Sequence, residues 1–91
     1  MTKIAPEIVM VNAASKALEY LDKRPRAENE EIMKHVIISL GSDLKQNLRI
    51  LGVAAANEIL KMKRISPNAP HKELLQKLTN NIQKIIENAG E

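Results

Sequence analysis

Ninety-one residues, 44% of them hydrophobic and 27% charged, make one domain near the lower size at which an apolar core holds itself up. The chain has no Cys, Phe or Trp and a single Tyr. That excludes disulfides, thiolate metal sites and a cysteine nucleophile, and leaves the core to be tiled by Leu, Ile, Val, Met and Ala. The net charge of +3 permits an anionic partner without demanding one.

The start of the chain, Met1-Thr2-Lys3-Ile4-Ala5-Pro6, lacks the apolar stretch of a secretion signal. Ile4, Ile8, Val11, Ala14, Leu18 and Leu21 then recur at helical spacing and predict a first helix with one apolar stripe. Arg24-Pro25-Arg26 ends it, because proline opposes the α conformation of the residue before it. A second helix carries Ile32, Met33, Val36, Ile37 and Leu40 and stops at Gly41, a residue suited to the position after a helix. Ser42 and Asp43 offer an N-cap and a first-turn negative charge to the next helix. That third helix holds Leu44, Leu48, Leu51, Ala55, Ile59 and Met62, with Ile50, Val53 and Leu60 alongside. It is apolar on most sides from Leu48 to Ala56 apart from Arg49, and is expected to be the most buried element. Ser66-Pro67-Asn68-Ala69-Pro70 makes a second turn. In the last helix Leu75, Leu78, Ile82 and Ile85 are flanked by Leu74 and Ile86, and the helix is expected to end near Gly90. No apolar run approaches the roughly 18 residues of a membrane span, so a cytoplasmic protein without membrane contact is expected.

Sliding the sequence by 42 residues aligns 8–36 with 50–78 without a gap. Ile8/Ile50, Val11/Val53, Ala13/Ala55, Ala14/Ala56, Leu18/Leu60, Pro25/Pro67, Ala27/Ala69 and Glu31/Glu73 are identical pairs. The expected fold is therefore all-α: a four-helix up-down array of two tandem helical hairpins, solenoid-like, in one domain spanning 1–91. Unit one covers about 4–41 and unit two about 42–90. The small residues Ala13, Ala14, Gly52, Ala55 and Ala56 predict a close approach of the first and third helices.

The run Gly52-Val53-Ala54-Ala55-Ala56-Asn57-Glu58-Ile59-Leu60, followed ten residues later by Pro70 of Pro67-Asn68-Ala69-Pro70, resembles the signature of uncharacterised protein family 147. That small archaeal family is all-helical and of similar length, with a Pro-Asn-x-Pro turn at this distance after an Ala-rich helix. Pro25-Arg26 is similar to the Pro-Arg turn of its first half. The chain departs from the family in having Gly52 where an arginine is usual, acidic residues in place of arginines after each turn, and no late Trp. The resemblance implies an archaeal cytoplasmic helical protein and brings no activity, cofactor or catalytic residue with it.

His35 and His71 stand far apart in sequence, without the closely spaced partner ligands of a zinc site, and neither is assigned a metal or catalytic role. Glu28, Glu30 and Glu31 crowd the start of the second helix, where acids complement the helix dipole. No phosphate loop, nucleophile triad or dinucleotide fingerprint is present, so no enzyme, metal or cofactor is expected.

The cations are more telling. Lys23, Arg24 and Arg26 sit at the first Pro turn, and Lys61, Lys63 and Arg64 sit at the equivalent place before the second. An up-down array brings both turns to one end, giving a candidate surface for an anion or an acidic partner. Cations also belong at helix C-termini for electrostatic reasons alone. For nucleic acid the supports are thin. Tyr20 is the only aromatic available for stacking, and Asn47 spoils a faint helix-turn-helix resemblance. Leu74, Leu75, Leu78, Ile82, Ile85 and Ile86 are the candidate face for a homo-oligomer. The expected function is a non-enzymatic interaction module that binds a protein partner or itself. Weak, sequence-independent binding of nucleic acid or ribonucleoprotein is the alternative.

Overall fold

A computed structural model describes residues 5–41 and 44–89. They form four helices: α1 (Pro6–Lys23), α2 (Asn29–Leu40), α3 (Gln46–Ile65) and α4 (His71–Ala89), with no strand among the described residues. The all-α, four-helix expectation holds.

α1 opens with Pro6 in its first turn, where the missing N–H is not needed and the fixed φ suits a helix. The Ala5 carbonyl accepts from the amides of Ile8 and Val9. α2 stops where the sequence says, at Gly41, whose φ of 87° and ψ of 160° are open to glycine and costly for other residues. α3 starts at Gln46 with Lys45 at its N-cap, later than the expected Ser42-Asp43 start. Ile4, Ser42, Asp43 and Gly90 lie outside the described residues.

α1 and α3 make the most extensive helix–helix contact. α2 and α4 each pack against both members of that pair and do not touch each other. The bundle is thus a rhombus with its short diagonal from α1 to α3. It is closed by contact between α4 and α1, which an open solenoid stack would lack. The diagonal is short because of what lines it. Ala13, Ala14, Ala17, Gly52, Ala55 and Ala56 are buried, as the spacing of small residues predicts. A Cβ added at Gly52 would lie 3.0 Å from Leu40 Cδ1 and 3.4 Å from both Ala13 Cβ and Val9 Cγ1.

Centring the core on alanines turns the helices away from the stripes of bulky residues. α1 buries Val9, Met10, Ala13, Ala14, Ala17 and Leu18, while Ile8 is 57% exposed and Val11 is half-buried. α3 buries Ala55, Ala56, Ile59 and Leu60 but leaves Ile50 49% exposed, so it is no more buried than α1. Ile37 and Ile38 of α2 also face outward. On α4 the buried positions are Leu74, Leu78 and Ile82, and Leu75, Ile85 and Ile86 pack at the edge of the core. No polar or charged side chain is buried among the described residues.

Positions 42 apart behave alike at the turns. The amide of Arg24 donates to Tyr20 O at 2.9 Å and that of Ser66 to Met62 O at 2.9 Å. The amide of Ala27 donates to Arg24 O and that of Ala69 to Ser66 O. The φ, ψ values of Arg24 (−134°, 78°) and Ser66 (−128°, 72°) nearly coincide.

Candidate functional site

The two turns meet at one end of the bundle, and a cleft of about 440 Å³ opens between them. Its apolar lining comes from the end of α1 (Leu21), the first turn (Pro25, Ala27), α2 (Ile32), α3 (Leu60) and the second turn (Pro67). Its polar lining is Asp22, Arg26, Asn29, Lys63 and Arg64. Of the six cations singled out from sequence, the fold brings Arg26, Lys63 and Arg64 to this cleft. Arg24 borders an adjoining recess with Pro25, Arg26 and Glu31, while Lys23 and Lys61 are exposed and line neither.

The partners of these cations differ. Arg64 Nη2 donates to Asn29 Oδ1, bridging the end of α3 and the start of α2. Arg24 Nη1 lies 3.9 Å from Glu31 Oε2, a pair exposed enough for solvent to screen most of its attraction. Among the described residues the side chains of Arg26 and Lys63 make no hydrogen bond or ion pair. Lys63 and Arg64 occupy the last turn of α3, where a cation complements the helix dipole. Arg26 belongs to no helix, so that reason does not apply to it. It lines the cleft and two adjoining recesses, the second shared with Glu28, Glu30, Glu31 and Lys34.

Two polar clusters went unread in the sequence. His71 Nε2 lies 3.2 Å from Asp22 Oδ2, tying the start of α4 to the end of α1. Tyr20 donates its hydroxyl proton to Glu31 Oε2, and its ring centroid is 4.6 Å from that of His35, tilted by 31°. Accepting this hydrogen bond, Glu31 pushes the Tyr20 phenol above its ordinary pKa, with smaller upward pushes from desolvation and the Glu31 charge and an opposing pull from Arg24. The signal for this cluster was available. Tyr20 and Glu31 stand at equal distance on either side of the Arg24–Ala27 turn, so a hairpin sets them opposite one another.

The candidate oligomer residues divide in two. Leu74, Leu78 and Ile82 are core of the single chain, so only Leu75, Ile85 and Ile86 keep partial exposure to offer a second copy. α4 uses those core residues against α1 and α3. At the other end of the bundle Leu44, Ile50 and Val53, with Gln46 and Arg49, border a recess, and Arg49 Nη2 donates to Gly41 O at 3.2 Å. Among the described residues no group of three or more His, Cys, Asp or Glu is placed to hold a metal ion, and no helix is long and apolar enough to cross a membrane. No protein-family model, curated protein or solved structure matches the chain, so the chemistry of its surface rests on its own residues.

Proposed function

We propose that this chain is a non-enzymatic helical interaction module, two copies of one hairpin, whose working surface is the end where the turns meet. The observation that carries the reading is the convergence of Arg26 with Lys63 and Arg64, remote from it in sequence, on one cleft with an apolar floor. Two of these cations have no partner within the described chain, and an unpaired cation beside apolar surface suits a ligand that brings both carboxylates and apolar atoms. The paired turn hydrogen bonds and the matching burial at positions 42 apart support a duplicated hairpin. Membership of the archaeal family 147 and a cytoplasmic location belong to the same proposal and add no activity to it.

A photo-crosslinking side chain at Lys63 should trap a partner from a cell extract, and the same group at Lys84 should not. Lys84 follows His71 by thirteen positions on α4, which places it roughly 20 Å from the turns. Equal trapping at both positions would remove the turn end as the working surface.

Sequence-independent nucleic-acid binding at the same end is the second reading. It is favoured by the exposure of Lys23, Arg24, Arg26, Lys61 and Arg64. Self-association through Leu75, Ile85 and Ile86 is a third use of the module, separable by a concentration-dependent mass.

A further inference from the structure

The cleft combines features that different anions would value differently. A nucleic-acid backbone is a continuous line of charge, which gains from cations spread along a track and nothing from apolar walls. Here the cations crowd around apolar surface, with Leu21, Pro25 and Pro67 as walls above Ile32 and Leu60. Asp22 lies inside the cleft, and Glu28, Glu30 and Glu31 share a recess with Arg26 just outside it. A polyanion laid across this end would meet those carboxylates at close range. Tyr20, the only Tyr, Phe or Trp in the chain, spends its hydroxyl on Glu31 and packs its ring against His35.

Resting on the reading of the turn end as the binding surface, we propose that the cleft receives an acidic peptide segment with an aliphatic side chain among its carboxylates. The aliphatic group sits against Leu21 and the two prolines. The neighbouring carboxylates meet Arg26 and Lys63, whose charges are unpaired among the described residues. A peptide, unlike a phosphodiester, can place charge where the cations are and leave it out beside Asp22.

The test is fluorescence anisotropy on the full chain with three labelled probes at low ionic strength. They are the blocked peptide Glu-Asp-Leu-Asp-Glu, the same peptide with Ser replacing Leu, and an oligouridine. The leucine peptide should bind best, and losing the leucine should weaken it by roughly tenfold, the size of effect expected for one buried aliphatic group. Arg26→Glu combined with Lys63→Glu should weaken it by at least about tenfold while the circular dichroism stays unchanged. Equal binding of the serine peptide would overturn the aliphatic anchor, and tighter binding of oligouridine would overturn the peptide. If oligouridine binding is lost in the double variant, the turn end survives as the binding surface while the acidic peptide does not. No binding by any probe removes both.

Discussion

Asp22 Oδ2 lies 3.2 Å from His71 Nε2, and the residues 42 positions away from each, Arg64 and Asn29, are also in contact. Each contact joins the end of one hairpin's first helix to the start of the other hairpin's second helix. The same place in the fold is thus bridged twice, by an acid–imidazole pair on one side and a guanidinium–amide pair on the other. Both sit at the surface, with the Asp22 side chain 59% exposed. A double-mutant cycle on Asp22→Ala and His71→Ala should give a coupling below about 1 kcal/mol. A larger value would make this contact a determinant of how the hairpins dock.

Ala55→Leu should destabilise the bundle by roughly 1–3 kcal/mol, since overpacking a tight helix contact forces side chains off their rotamers. Ala55 is fully buried on the short diagonal. The check is the denaturant midpoint, and an unchanged midpoint would mean that α1 and α3 do not approach closely at Ala55.

Leu78→Asp separates core from oligomer face. Leu78 is fully buried within the single chain, so an unpaired carboxylate there should abolish helicity. Leu75→Lys, at a half-buried position, should remain folded. A folded, monomeric Leu78→Asp variant would instead show that Leu78 is a contact between copies.

Tyr20 is the only tyrosine, so ultraviolet titration reports on it alone. Its phenol should ionise above the ordinary value near 10, because the neutral form donates to Glu31 and the phenolate would face a carboxylate. A raised folded-state pKa means that this contribution to stability is present below pH about 10 and is lost as pH rises through the folded pKa. Glu31→Gln should bring the titration back toward the ordinary value. A titration that does not move would mean the hydrogen bond is absent in solution.

The four helices and both Pro turns were legible because proline, Gly41 and helical spacing act locally. The core face was less so. Ile8 and Ile50 read as core by size and are exposed, because the α1–α3 contact selects small residues and rotates each helix about its axis. Positions of the cations followed from topology, whereas their partners did not. Whether Arg64 reaches Asn29 or Arg24 reaches Glu31 depends on side-chain angles that sequence spacing does not carry. Lys23 and Lys61 share the composition of the cleft's cations, but their places on the helices turn them out of it.

Four-helix proteins that hold metals or haem do so along the bundle axis, between facing helices. In this chain Ala13, Ala14, Ala17, Ala55 and Ala56 close that axis completely. The clefts of this bundle therefore lie on its outside, at the turns and helix ends, and not between its helices along the axis. The binding proposed at the turns should then need no opening step, and its observed rate should scale with ligand concentration without reaching a plateau.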